Sequence, residues 1–157
     1  MVNIGFYGSH NAALVIEKEG EIILVLEIER FLNYKNSGVA QYKTVRATFL
    51  HPIVEYLKDY ILKIAGVKEF DNCFHMNTDV IIDNVRYNLE QIIPAKNYIE
   101  GLHHEAHAAG AFYQSLYKEA LAFSFDGGGN DGFFNIYHAT RKNSVKLLES
   151  VLNPVLN

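Results

Sequence analysis

The chain has 157 residues, with 14 Lys plus Arg against 18 Asp plus Glu, a formal charge of −4. Hydrophobic residues make up 49% and charged residues 20%, enough apolar material for a core, which excludes a disordered chain. The acidic balance excludes a general phosphate-tracking surface, so no nucleic-acid partner is expected.

Three strands are predicted at the start, over 2–7, 12–17 and 21–28. The first runs into Gly8-Ser9-His10-Asn11, and Lys18-Glu19-Gly20 makes a turn between the second and third, with Gly20 free to take positive φ. Ile22, Ile23, Leu24, Val25 and Leu26 form a nearly continuous apolar run, the pattern of a strand buried on both faces. A polar loop is expected over 32–43. A helix follows, with Pro52 in its first turn, Ile53, Leu57, Tyr60, Ile61 and Ile64 at helical spacing, and Gly66 as its stop. A strand is expected over 67–75, an amphipathic helix over 79–93 ending before Pro94, and a short strand at 98–99 feeding a helix over 103–117. Strands are then predicted over 120–125, 132–139 and 145–149, with Arg141-Lys142-Asn143 as a turn.

The last three strands repeat the first three in form. Each set is an apolar strand, a Gly-containing polar loop, a second strand, a tight polar turn and a third strand, with His10 and Asp126 at matching places in the two loops. Repeated units of this kind build a two-lobed domain in which each lobe offers one loop to a shared cavity. The chain's one cysteine, Cys73, fits a reducing compartment. No apolar run reaches the roughly 18 residues of a membrane span, and the first residues carry no secretion signal, so a cytoplasmic protein without a membrane partner is expected.

Three of the seven histidines fall in His103-His104-Glu105-Ala106-His107. On a helix, His103 and His107 share one face one turn apart and can reach one divalent metal, while His104 and Glu105 point elsewhere. Two imidazoles hold a metal poorly without a carboxylate. Asp126, at the end of a predicted buried strand, is the best donor. Two His and one carboxylate suit iron, zinc or manganese with open positions for substrate. Gly127-Gly128-Gly129 could form an anion-binding nest for a phosphate or nucleotide, although no Gly-Lys-Ser/Thr follows as in a P-loop. His10 is a candidate general base. Glu29, Arg30 and Lys35 are weaker candidates for substrate contact.

These residues, in this order, resemble the N-terminal part of the O-carbamoyltransferase family. The resemblance rests on Ile4-Gly5-Phe6 through His10-Asn11-Ala12-Ala13-Leu14-Val15, on Glu27-Ile28-Glu29-Arg30-Phe31, and on the stretch from His103 to Tyr113 with Asp126-Gly127-Gly128-Gly129. It implies an α/β fold of the ribonuclease-H-like, actin-like and sugar-kinase-like (ASKHA) type: a mixed sheet with flanking helices, the N-terminal portion of a duplicated unit. Residues 1–119 would form the first unit, and 120–157 an incomplete second one.

The resemblance also implies His103, His107 and Asp126 as metal ligands. The implied activity is a two-step transfer in which carbamoyl phosphate and ATP give a carbamoyl-adenylate, whose carbamoyl group passes to a substrate hydroxyl, with His10 taking the proton. Family members are several times longer, so the expectation is a chain incomplete as an enzyme. The tRNA threonylcarbamoyl-transfer family shares a similar His-x-Glu-x-His stretch and the same fold. A non-catalytic half-domain that binds a partner or self-associates as a homo-oligomer is the other alternative, since half of a two-lobed fold leaves apolar surface uncovered.

Overall fold

The structure is a computed structural model, and it describes residues 1–7, 12–31, 50–76, 80–82, 85–87, 89 and 93–152; the side chains of 29, 50–54, 80–82 and 85–87 lie outside that description. The chain falls into two compact units, Met1–Glu100 and Gly101–Asn157.

In the first unit, β1 (Val2–Tyr7), β2 (Ala13–Lys18) and β3 (Glu21–Glu27) form an antiparallel meander. The turn between β2 and β3 places Glu19 at φ 55° and Gly20 at φ 88°, the two successive positive values that a tight hairpin twist demands. β4 (Phe70–Met76) then pairs parallel to β1, and β7 (Ala95–Glu100) parallel to β4, giving a mixed five-stranded sheet of order β3-β2-β1-β4-β7. A short helix, α1 (Ile28–Phe31), follows β3, and α2 (Leu50–Ala65) precedes β4.

The core of this unit comes from alternate positions on β1 and β2, from β4 and from one stripe of α2. Val2, Ile4 and Phe6 of β1, Leu14 and Ile16 of β2, and Phe70 and Cys73 of β4 cluster with Leu57, Ile61 and Ala65 of α2. α2 stops where expected. Gly66 takes φ 70°, its amide donates to the Lys63 carbonyl, and the Val67 amide donates back to the Leu62 carbonyl. Val67 and Leu62 both pack on the core beside this C-terminal cap. Lys18 Nζ adds a hydrogen bond to the Ala65 carbonyl at 3.1 Å, a cation at the negative end of the helix. On the opposite face, Asn97 donates to Asn72 and Asn72 to Asn3, a polar ladder crossing three adjacent strands.

The structure corrects two expectations here. β3 is not buried on both faces: it is an edge strand, with Ile22 68% and Val25 67% exposed, because only β2 pairs with it and only Leu24 and Leu26 reach the core. Within the helix expected over 79–93, residues 80–82 and 85–87 form an antiparallel pair instead, β5 (Val80–Ile82) and β6 (Val85–Tyr87), while Leu89 is helical and accepts at its carbonyl from the Ile93 amide. The β-branched Val80, Ile81, Ile82 and Val85 lose side-chain freedom in a helix and suit a pleated strand. The loop expected from residue 32 lies outside the described residues.

In the second unit, α3 (His103–Gln114) precedes an antiparallel meander of β8 (Glu119–Gly129), β9 (Gly132–Thr140) and β10 (Ser144–Val151), ordered β10-β9-β8. His104, Ala108 and Phe112 form the buried stripe of α3, and Tyr137 and Ala139 are buried on β9. The small Ala108 lets helix and sheet approach closely. α3 therefore groups with this sheet, in the compact unit that begins at Gly101. The helix also ends at Gln114, short of 117, because Ser115 turns extended and its hydroxyl donates to the Phe112 carbonyl at 2.7 Å. The expectation that 120–125 is a buried strand does not hold. Only Ser124 of β8 is buried, while Leu121, Phe123 and Phe125 stand exposed on the face away from α3.

Among the described residues, no helix is long and apolar enough to cross a membrane. Burial in the first core pushes the Cys73 thiol up to about 12. A thiolate-directed reagent at pH 8 is therefore expected to leave Cys73 unlabelled in the folded chain and to label it fully in denaturant. Replacing Ile61 by Ala is expected to cost about 2–5 kcal/mol of stability and to shift the labelling midpoint to lower denaturant by the corresponding amount.

Candidate metal centre

α3 brings His103 and His107 to one face, next to the buried stripe, and β8 carries Asp126 beneath them. His103 Nε2 lies 2.9 Å from Asp126 Oδ2 and 3.2 Å from His107 Nε2, and His107 Nε2 lies 3.7 Å from the same Asp126 oxygen. The three residues form the one group of possible metal-binding side chains found among the described residues. Their exposure is graded: the His103 side chain is 14% exposed, Asp126 49% and His107 59%. One side of the cluster is thus held by protein and the other is open.

The donor set fits a small divalent cation. Ligands about 2.1 Å from a metal stand about 3.0 Å apart at right angles and about 3.4 Å apart in a tetrahedron. The three observed separations bracket those values. Protons alone serve the cluster badly, because His103 Nε2 carries at most one hydrogen yet stands close to both the Asp126 carboxylate and His107 Nε2. A cation would engage all three lone pairs together. The His103 hydrogen bond, followed by that of the Gly127 amide at 2.6 Å, holds the Asp126 carboxyl below its usual range, so it is ionised and ready to ligate at neutral pH.

The first turn of α3 is capped from elsewhere. Leu102 stands at the N-cap position with no side chain able to accept, leaving the early amides without a local partner. Asn130 Oδ1 accepts from the His103 amide at 2.9 Å, and the Asp131 carboxylate accepts from His104 at 3.0 Å and Glu105 at 3.2 Å. Both residues lie between β8 and β9. At the other end, Arg141 donates to the carbonyls of Phe112, Tyr113, Ser115 and Tyr117 and stacks on the Phe112 and Tyr113 rings. An anion at the N-terminus and a cation at the C-terminus both suit the helix dipole.

His104 points into the interior, as its place on the helix requires, and is fully buried. Its Nε2 donates to the Gly132 carbonyl at 2.9 Å, and its Nδ1 accepts from Ser124 Oγ at 2.7 Å. The pair has the elements of a nucleophile and base, but Ser124 is 5% exposed, and the arrangement acts as a strut between helix and sheet.

The glycine stretch divides into separate roles. A Cβ on Gly129 would stand 2.6 Å from His103 Cβ, so this glycine makes room for the histidine. Gly128 takes φ 137° with the Phe133 ring against it, and Gly127 faces open space. The amide of Gly127 is already engaged by Asp126, so any anion nest formed here has that carboxylate as a neighbour. β8 runs past Asp126 to Gly129 with a break in register after Phe125, which places Asp126 at an irregularity rather than at a strand tip. Arg30 forms a local pair with Glu27 at 2.8 Å on the surface. His10 and Lys35, and the Glu29 side chain, lie outside the described residues.

Sequence reasoning missed Asn130, Asp131 and Arg141. Asn-Asp after a glycine run reads as ordinary turn composition, and Arg141 as turn surface. The available signal was the missing N-cap: an apolar Leu102 before a histidine-rich helix start calls for an acceptor from outside the helix.

No family model matches the chain, and no curated protein matches it.

Gly129→Ala is expected to displace His103 while leaving the sheet intact. Cobalt(II) affinity should fall at least tenfold by titration, with a far-ultraviolet spectrum like that of the parent chain.

Proposed function

We propose that the chain carries the metal-binding part of an O-carbamoyltransferase site, holding one divalent cation between His103, His107 and Asp126. The observation that carries this reading is the convergence of two imidazoles and an ionised carboxylate, with spacings suited to one small cation and one side open. The mixed sheet of the first unit and the second meander that follows it support the ribonuclease-H-like duplicated architecture.

In this reading carbamoyl phosphate and ATP supply a carbamoyl-adenylate, and a hydroxylated small molecule accepts the carbamoyl group. Iron, zinc or manganese would fit the donor set, and such a cation supplies Lewis acidity towards a carbonyl or phosphoryl oxygen. Asp126 stays ionised through its bonds to His103 and the Gly127 amide. Gly127 and Gly128, which follow Asp126, are exposed, and small backbone allows a phosphate to come close. His10 takes the proton of the acceptor hydroxyl, with Glu29, Arg30 and Lys35 as contacts to the acceptor.

Metal analysis and cobalt(II) titration of the purified chain test the reading. One cobalt per chain, with visible absorption of low coordination number, is expected. The His103→Ala, His107→Ala double variant should lose binding by at least a hundredfold while keeping its helix and strand content. Equal metal content in both proteins would remove the proposal.

A second reading, an interaction module that self-associates, is favoured by the open face of the second sheet. Leu121, Phe123 and Phe125 stand 59%, 63% and 82% exposed, and Phe123 and Phe125 pack on Phe134 of β9. Contiguous aromatic surface of this kind is uncommon on monomers. Sedimentation should then show dimer for the parent chain and monomer for Phe123→Ser, Phe125→Ser; a monomeric parent at high concentration would sink this reading.

A further inference from the structure

The partly buried carboxylate of Asp131 touches no side chain of the three candidate ligands, yet it holds the two amides that directly follow His103 on the helix. One of its oxygens, Oδ2, accepts from the amides of His104 and Glu105 and from the Tyr137 hydroxyl at 3.2 Å; the other also accepts from His104, at 3.0 Å. Tyr137 is itself fixed, fully buried and accepting from Asn135 Nδ2 at 2.9 Å. Asn135 also donates to the Asp131 backbone carbonyl at 3.0 Å, so the main chain and side chain of Asp131 are held from the same strand. Burial pushes the Tyr137 phenol up to about 12, which keeps it a donor throughout the neutral range.

These contacts set the pitch and rotation of the first turn of α3 against β9. His103 opens that turn and His107 lies one turn further on, so a small rotation moves both imidazoles relative to Asp126, which is carried by β8. We propose that Asp131 is a positioning residue for the cation site, acting through the His104 and Glu105 amides with Tyr137 as its support; the inference rests on the metal reading above. An outer residue that orients ligands commonly changes metal affinity by about 10- to 100-fold.

Three readouts test this: cobalt(II) affinity, the cobalt absorption band, and the imidazole ¹⁵N shifts of His103 and His107 in the metal-free chain. Asp131→Ala is expected to weaken cobalt binding about 10- to 100-fold, to shift the absorption band, and to alter the His103 ¹⁵N shifts as its bond to Asp126 loosens. A merely structural role would lower thermal stability and leave the band and the shifts as in the parent. Asp131→Ala that folds with parental affinity, band and shifts overturns the proposal.

Should Asp131→Ala fail to fold, Tyr137→Phe decides. It removes one donor to Oδ2 without touching the helix, and should weaken cobalt binding by about two- to fivefold with a smaller band shift. Unchanged values in that variant overturn the proposal. If the parent chain takes up no cobalt, the metal reading fails by itself, and the metal-free ¹⁵N shifts still decide whether Asp131 governs the geometry of the two histidines.

Discussion

The second unit depends on how α3 satisfies the amides of its first turn. Leu102 cannot accept a hydrogen bond, and three backbone donors would be left without protein partners. Asn130 and Asp131 supply the missing acceptors from the connection between β8 and β9. A cap of this kind differs from a local one in its reach. A serine at the N-cap would stabilise the helix wherever it lay, whereas a cap from the sheet stabilises it only in one place and at one rotation. Arg141 does the same at the other end, from the connection between β9 and β10. With both ends tied to one sheet, the face carrying His103 and His107 has little freedom to turn away from Asp126.

The buried stripe complements these ties. His104, Ala108 and Phe112 follow one another at single-turn spacing, and only one of them is polar. That one is satisfied on both ring nitrogens, which is what full burial of an imidazole requires. The neighbouring histidines, one residue earlier on the helix and one turn on, meet each other and Asp126 at Nε2 among the described residues. The contrast between His104 and His103 illustrates how adjacent residues of one type take opposite roles when helical geometry turns them about 100° apart.

The same meander occurs in both units and is finished differently. In the first, β1 is continued by the parallel strands β4 and β7, and the buried face is closed by α2. In the second, β8 remains an edge strand, and its outward face keeps Leu121, Phe123 and Phe125 exposed. A strand rich in aromatic residues at a sheet edge favours association, which is why the self-associating module stands as the competing reading.

Much of the architecture was legible from periodicity and turn chemistry. The two meanders, the stop at Gly66 and the one-turn spacing of His103 and His107 all follow from short-range rules, because hydrogen-bond geometry along a strand or helix repeats at fixed intervals. The first part of the helix expected over 79–93 is a strand pair, since a short apolar run reads alike in two periodicities and the β-branched residues decided it. Burial was the least legible property. The continuous apolar run in β3 suggested a strand covered on both sides, and β8 was expected to be buried; neither is so, because burial depends on what packs above a strand and not on the strand. The sequence by itself determined the local frame: which residues alternate, which turns close, and that two imidazoles share one helical face. Tertiary structure alone decided that a carboxylate 23 positions from His103 comes within 2.9 Å of it, that Gly129 is small for the sake of that histidine, and that Asp131 caps a helix 27 positions before it. Contacts between segments so far apart arise from packing of whole elements, which no local pattern encodes.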